Sequence, residues 1–250
     1  MPQTTISMLK KLLRDAKVID FDMEHPTNSD EKLPQEANFR INFWDLFNKY
    51  LPELARVFLR KLEEDVYRKI DVDCIVGFGD SGARLINAMI PEKKNFDLKD
   101  YRFAYVSKSA DIANNILGDL QPGDKIAVID EIGINYYSLL KGIAMIDSAM
   151  KYKMSISPQQ DKNDKVSYTA VIVGLDLMVS DTELGKYKKD LARKQIKKLY
   201  NESNAEPEFS SILTIEECLA DIIGPNDKGI LEAYVLLQKE KIKKNGSSST

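Results

Sequence analysis

Two cysteines, one histidine and one tryptophan are all that 250 residues supply of those types, and the scarcity excludes whole classes of protein. Cys74 and Cys218 stand far apart, each inside an apolar run, so no disulfide framework can be built from them. Adding His25 still leaves too few ligands for a structural zinc site. Buried thiols in a reducing compartment are the reading, with the cytoplasm as the expected location. An excess of one charge is missing too. Lys and Arg total 36 against 39 Asp and Glu, and a net charge of −3 gives no global attraction to nucleic acid or to an anionic membrane. No apolar run approaches the length of a membrane span, and the opening MPQTTISMLKK lacks the uninterrupted apolar segment of a signal peptide. Internal repeats are absent as well. What the chain does have is 43% hydrophobic and 30% charged residues, enough for one large α/β domain with a packed core.

Ile6, Leu9, Leu12, Leu13 and Ala16 recur at helical spacing and predict an amphipathic helix over residues 5–16. Residues 24–36 are polar, hold two prolines and read as a loop or linker. A long helix follows, with Pro52 in its first turn and Leu54, Phe58, Leu62, Val66 and Ile70 along one stripe. From Asp73 the pattern changes. Cys74-Ile75-Val76 is a short buried strand that breaks into the glycine loop Gly77-Phe78-Gly79-Asp80-Ser81-Gly82, and residues 83–89 read as helix. Residues 101–106 form the next expected strand, and 107–118 a loop or mobile hairpin. The turn Gln121-Pro122-Gly123-Asp124 launches a strand over 125–129. Leu139, Leu140, Ile143, Ile146 and Met150 then line one helical face, before a polar crossover at 151–165.

Residues 168–177 read as a buried strand and 209–213 as a further one. Thr214 and Glu217 form a capping box that opens a short helix to about Ile223. A last helix starts near Asp227 and ends in a tail that should fray. Together these predict an α/β fold with a mainly parallel, doubly wound sheet and an N-terminal helical layer. Residues 1–225 are expected as one domain (1–70 a helical hood, 71–225 the core), and 226–250 as a helix and disordered tail.

Two stretches could carry chemistry. In Gly77–Gly82 the glycines permit positive φ and bring backbone N–H groups towards an anion at a helix N-terminus. The spacing alone is weak, and a tight turn without ligand remains open. The acidic residue that a dinucleotide site needs about twenty residues further on is also missing around Arg102–Tyr105. The second stretch, KIAVIDEIGINYYS at 125–138, is stronger. Adjacent carboxylates, Asp130 and Glu131, close an apolar strand where α/β proteins bind ligands. Two acids side by side are costly unless hydroxyls or a cation compensate. Ser138 near the next helix start could bind a phosphate or serve as an ordinary N-cap.

The segment AVIDEIGINYYS resembles the phosphoribosyl-diphosphate motif of the type I phosphoribosyltransferases, in which two acids follow a hydrophobic strand and precede a loop ending in a hydroxyl residue. GFGDSGARL, TAVIVGLDL and SSILTIEECLADI are similar to successive parts of the orotate phosphoribosyltransferase branch, so the likeness runs from about Asn38 to Ile223. The resemblance implies transfer of 5-phosphoribose from its 1-diphosphate to a nitrogenous base, in nucleotide metabolism and pyrimidine biosynthesis. It implies catalytic roles for Asp130, Glu131 and Lys108. It also implies substrate binding by Gly77, Gly79, Asp80, Ser81, Gly82, Asn135, Tyr136, Tyr137 and Ser138. Magnesium is expected on the diphosphate substrate, with no metal ligands of the protein's own. The implied partners are phosphoribosyl diphosphate and a nucleobase-like acceptor, and the implied assembly is a homodimer.

Tyr136 and Tyr137 stand where the family's loop carries threonine and glycine, and SKSADIANNILG keeps only Lys108 of the family's several basic residues. That departure motivates an alternative: a nucleotide-binding or regulatory protein on the same fold, without turnover. A third reading rests on residues 186–198, which hold seven basic residues on an expected helix. A solvated face is the default there over contact with nucleic acid.

Overall fold

The computed structural model describes residues 4–20, 40–41, 43–66, 71–96, 98, 100–107, 115–133, 137–156, 166–176, 194, 208–214 and 217. The first helix, α1 (Thr5–Asp15), starts where the sequence places it. The Thr4 hydroxyl accepts the Ser7 N–H at 3.2 Å as its N-cap, and Leu9, Leu12 and Leu13 are buried along one face. Strand β1 (Ile19–Asp20) pairs antiparallel with β2 (Arg40–Ile41). Helices α2 (Phe43–Lys49) and α3 (Leu51–Val66) follow, Pro52 lying in the first turn of α3 and Leu54, Phe58 and Leu62 buried beneath it.

The central sheet is built from β3 (Cys74–Phe78), β4 (Arg102–Val106), β5 (Ile116–Gly118), β6 (Lys125–Gly133), β7 (Ser167–Asp176) and β8 (Glu208–Thr214). Their order is β5-β4-β3-β6-β7-β8, and only the β4–β5 pair is antiparallel. Helix α4 (Gly79–Glu92) links β3 to β4, and α5 (Tyr137–Ile156) links β6 to β7. Alternation along each strand divides the core. Ile75, Ala127, Ile129 and Ile172 pack with α1, α3 and α4, whereas Cys74, Val76, Ile126, Val128 and Val171 pack with α5. Both faces of the central strands are therefore covered, which is why they read as continuous apolar runs.

Three boundaries differ from the sequence reading. Strand β6 does not stop at Ile129 but runs through the acidic pair to Gly133, because β7 continues as an apolar run and offers ladder partners as far as Leu175 and Asp176. The glycine loop is shorter than expected, since Gly79–Gly82 already belongs to the first turn of α4. Helix α5 extends into the expected crossover as far as Ile156. Lys151 pairs with Asp147 at 2.6 Å one turn back, and Lys153 donates to the Leu120 carbonyl at 3.2 Å, so its final turns are tied down. Residues 107–118, read as a loop or a mobile hairpin, end in a strand: β5 returns antiparallel along β4.

At the opposite end of the sheet, Gly123 (φ 85°) supplies the left-handed residue of the Gln121–Asp124 turn, and the Asp124 carboxylate accepts the Gln121 N–H at 2.8 Å. Asp124 is buried and paired with Arg102. Cys74 lies fully buried nearby. Burial first, and the Asp124 charge second, push its thiol up to about 12 from an ordinary value of 9.0. Between those values the unfolded chain loses a proton that the folded chain keeps, so stability falls as pH rises. The expected slope is about 1.4 kcal/mol per pH unit. Urea midpoints measured from pH 8 upward should show Cys74→Ala losing that part of the decline; an unchanged slope would show that the thiol ionises equally in both states.

The capping box is present as read. Thr214 Oγ1 accepts the Glu217 N–H at 3.3 Å, and the Glu217 carboxylate accepts the Thr214 N–H at 2.9 Å. Thr214→Val should cost about 1 kcal/mol in urea unfolding, and no change would show that the cap contributes nothing. His25, Cys218, the loop at 24–36, the tail at 226–250 and the basic segment apart from exposed, helical Lys194 lie outside the described residues.

Candidate functional site

The chain leaves β3 in one direction, through α4 to β4, and leaves β6 in the other, through α5 to β7. The carboxyl ends of β3 and β6 therefore lie side by side with their connections diverging. In an open α/β sheet that is where a ligand-binding crevice forms. The two strands are paired as far as Gly77 beside Ile129, so Phe78 and Asp130 come one step later, at the mouth. Both carboxylates of the acidic pair belong to β6, and the glycine stretch opens α4.

The glycines have a reason in packing. A Cβ on Gly77 would lie 2.7 Å from the Gly82 carbonyl oxygen, and one on Gly82 would lie 2.7 Å from the Gly77 carbonyl carbon. Strand and helix thus meet backbone to backbone. Between them Gly79 turns the chain at φ 62°, a conformation open to glycine and strained for other residues. The cap residue of α4 is Phe78, which makes no side-chain hydrogen bond to the first turn. With Asp80 exposed and Ser81 half-buried, the first turn of a 14-residue helix opens at the crevice, where the helix dipole favours an anion.

Asp130 is 8% exposed. It keeps step along β6 with Ile126 and Val128, so its side chain lies on the α5 face, and it is engaged with a partner. The sequence suggests carboxylates facing an open crevice; Asp130 is instead nearly closed over. Glu131, Tyr137 and Ser138 are placed by their backbone alone, the first in β6 and the others at the start of α5. Lys108, Asn135 and Tyr136 lie outside the described residues. The ends of the segment that holds Lys108 are fixed, however. The Ser107 N–H donates to the Asn115 carbonyl at 2.7 Å, just beyond Val106, which pairs with Phe78. Among the described residues, no group of three or more His, Cys, Asp or Glu could hold a metal ion.

Two contacts at the site escape sequence reading. The Phe78 ring lies against Gly142 of α5, where a Cβ would overlap it. A glycine in the middle of an apolar helical face was the available signal. Arg84 of α4 donates to the Phe47 carbonyl at 3.3 Å and to Asn48 Oδ1 at 3.0 Å, and its guanidinium lies 5.7 Å from the centre of the Phe47 ring. It fastens the N-terminal helical layer to the helix that opens at the crevice. Nothing in its spacing announces that role. Farther along α4, Glu92 receives two hydrogen bonds from Arg56 of α3, at 2.8 and 3.2 Å, which hold its carboxyl below the usual range.

No family model matches the sequence, and no curated protein sequence matches it. Solved structures do match. UMP synthase of Leishmania donovani superposes with a TM-score of 0.58 at 16% identity, over 93% of this chain; this chain spans 42% of that protein's. Orotate phosphoribosyltransferase of Francisella tularensis gives a TM-score of 0.56 at 18% identity, covering 93% of this chain and 98% of that one. Adenine phosphoribosyltransferase of Trypanosoma brucei, solved with AMP, pyrophosphate and ribose-5-phosphate, gives 0.51 at 15% identity, over 86% and 82% of the two chains. The chain has the phosphoribosyltransferase fold, and its mostly parallel six-stranded sheet is the one these enzymes share. Among the described residues, no helix is long and apolar enough to cross a membrane.

Proposed function

We propose that the chain is an orotate-type phosphoribosyltransferase, moving 5-phosphoribose from phosphoribosyl diphosphate to a nitrogenous base in nucleotide synthesis. The observation that carries the reading is the seat of Asp130, on β6 where that strand passes the carboxyl end of β3, beside the opening of α4, in a chain with this fold. In the reaction the bond from ribose C1 to a diphosphate oxygen breaks, and its electron pair leaves with the diphosphate. A nitrogen of the base bonds to C1 and then sheds any proton it carried there. Positive charge grows on the ribose meanwhile, and a fixed carboxylate close by favours it.

Asp130 and Glu131 would accept hydrogen bonds from the ribose 2′- and 3′-hydroxyls. The first turn of α4, shaped by Gly77, Gly79 and Gly82 and carrying Asp80 and Ser81, would face the diphosphate, with Lys108 offsetting its charge. Asn135, Tyr136, Tyr137 and Ser138 would hold the 5′-phosphate. Magnesium would arrive on the diphosphate. We place the protein in the cytoplasm as a homodimer. The test is release of diphosphate from phosphoribosyl diphosphate and magnesium, with a panel of bases that includes orotate and adenine. Release with at least one base is expected; silence with every base would remove the transferase reading.

The 8% exposure of Asp130 favours one alternative, a protein that binds such ligands on this fold without turning them over. Calorimetric titration separates the two, since binding without release is the alternative's result.

A further inference from the structure

The geometry points to Phe78 as the residue that sets access to Asp130, its ring closing the mouth of the β3–β6 crevice against Gly142. The inference rests on the proposed transferase reading for the identity of the ligand, a ribose diol, but not for the closure itself.

Phe78 and Asp130 occupy neighbouring strands one step beyond the last paired residues, Gly77 and Ile129. Phe78 shares the α5 face with Cys74 and Val76, and Asp130 shares it with Ile126 and Val128. Their side chains therefore point the same way from strands about 4.8 Å apart, closer than an aromatic ring is wide with its contact surface. Both are nearly shut off from solvent, at 7% and 8% exposure. The helix above admits the ring only because position 142 is glycine, since any Cβ there would overlap it. A glycine inside a 20-residue helix weakens that helix, so its presence has a packing reason, and the ring is that reason.

The ring also sits next to a natural pivot. Gly79, at φ 62°, joins strand to helix immediately after Phe78. A sugar diol reaches the carboxylate only when the ring has swung aside, so apparent affinity is reduced by the fraction of molecules in that state.

Access is measured with a thiol at the site. In a Cys218→Ser background, Asp130→Cys should react slowly with iodoacetamide, and Cys74, fully buried, supplies the silent control. Adding Gly142→Ala, which favours the helix while barring the ring from its seat, should raise the rate at least tenfold. Phe78→Ala should do the same. Acceleration with Gly142→Ala, alone or with both, supports the gate. No acceleration, or acceleration confined to Phe78→Ala, where a loosened core explains it, overturns the gate. A second titration uses phosphoribosyl diphosphate with magnesium on the chain carrying only Gly142→Ala, which should bind about tenfold more tightly than the unsubstituted chain. Faster labelling without binding in either protein would leave the gate standing and remove the ribose role of Asp130.

Discussion

Replacing Asp130 by Asn together with Glu131 by Gln should lower diphosphate release by about 100-fold or more, the scale of removing one fixed electrostatic contact to a charged transition state. The exchange keeps the shape of both side chains and deletes their charge. A carboxylate that accepts two ribose hydroxyls and faces a developing cation loses both functions as an amide, which must also turn a donor towards the sugar. Burial sharpens the effect, because at 8% exposure little water screens the Asp130 charge from a bound sugar. Steady-state release measured beside thermal unfolding separates this from simple damage. A loss of release with the melting temperature nearly unchanged is the expected result. Full activity in the doubly substituted protein would show that the acidic pair does not meet the reacting sugar.

Gly77→Ala should be strongly destabilising. The new methyl would sit 2.7 Å from the Gly82 carbonyl oxygen, and the atoms in its way are backbone rather than a flexible side chain. Neither β3, paired on both sides, nor α4, packed on α3 and β4, can move off without opening the core. Overpacking of this kind costs about 3 kcal/mol. For a chain of this size that lowers the melting temperature by about 6–12 °C. Differential scanning calorimetry checks it. A fall of a degree or less would mean that strand and helix do not approach as closely as the glycine pair implies.

Much of the fold is legible in the sequence because its signals are local. Apolar runs mark β3, β4, β6, β7 and β8, and a helical period marks α1, α3 and α5. Thr214 and Glu217 form the capping box their spacing suggests. What misleads is information held by a distant partner. An acidic pair looks like the end of a strand, yet β6 continues through it because β7 keeps offering ladder positions. Gly77 and Gly82 look like a ligand loop, and their spacing does not reveal that each glycine accommodates the other. The carboxylates suggest an open crevice, and only the packing of Phe78 on Gly142 reveals a closed one. In each case the deciding contact joins residues on different elements, where periodicity has nothing to say.

Where a phosphorylated ribose sits decides whether Asp130 meets the reacting sugar. A crystal of the protein soaked with phosphoribosyl diphosphate and magnesium tests that most directly. The expected result is a ribose ring at the carboxyl ends of β3 and β6, its 2′- or 3′-hydroxyl within hydrogen-bond distance of Asp130, its diphosphate at the first turn of α4, and the Phe78 ring displaced from Gly142. A ligand bound elsewhere, or Asp130 still closed beneath an unmoved Phe78 with the crevice empty, would contradict it.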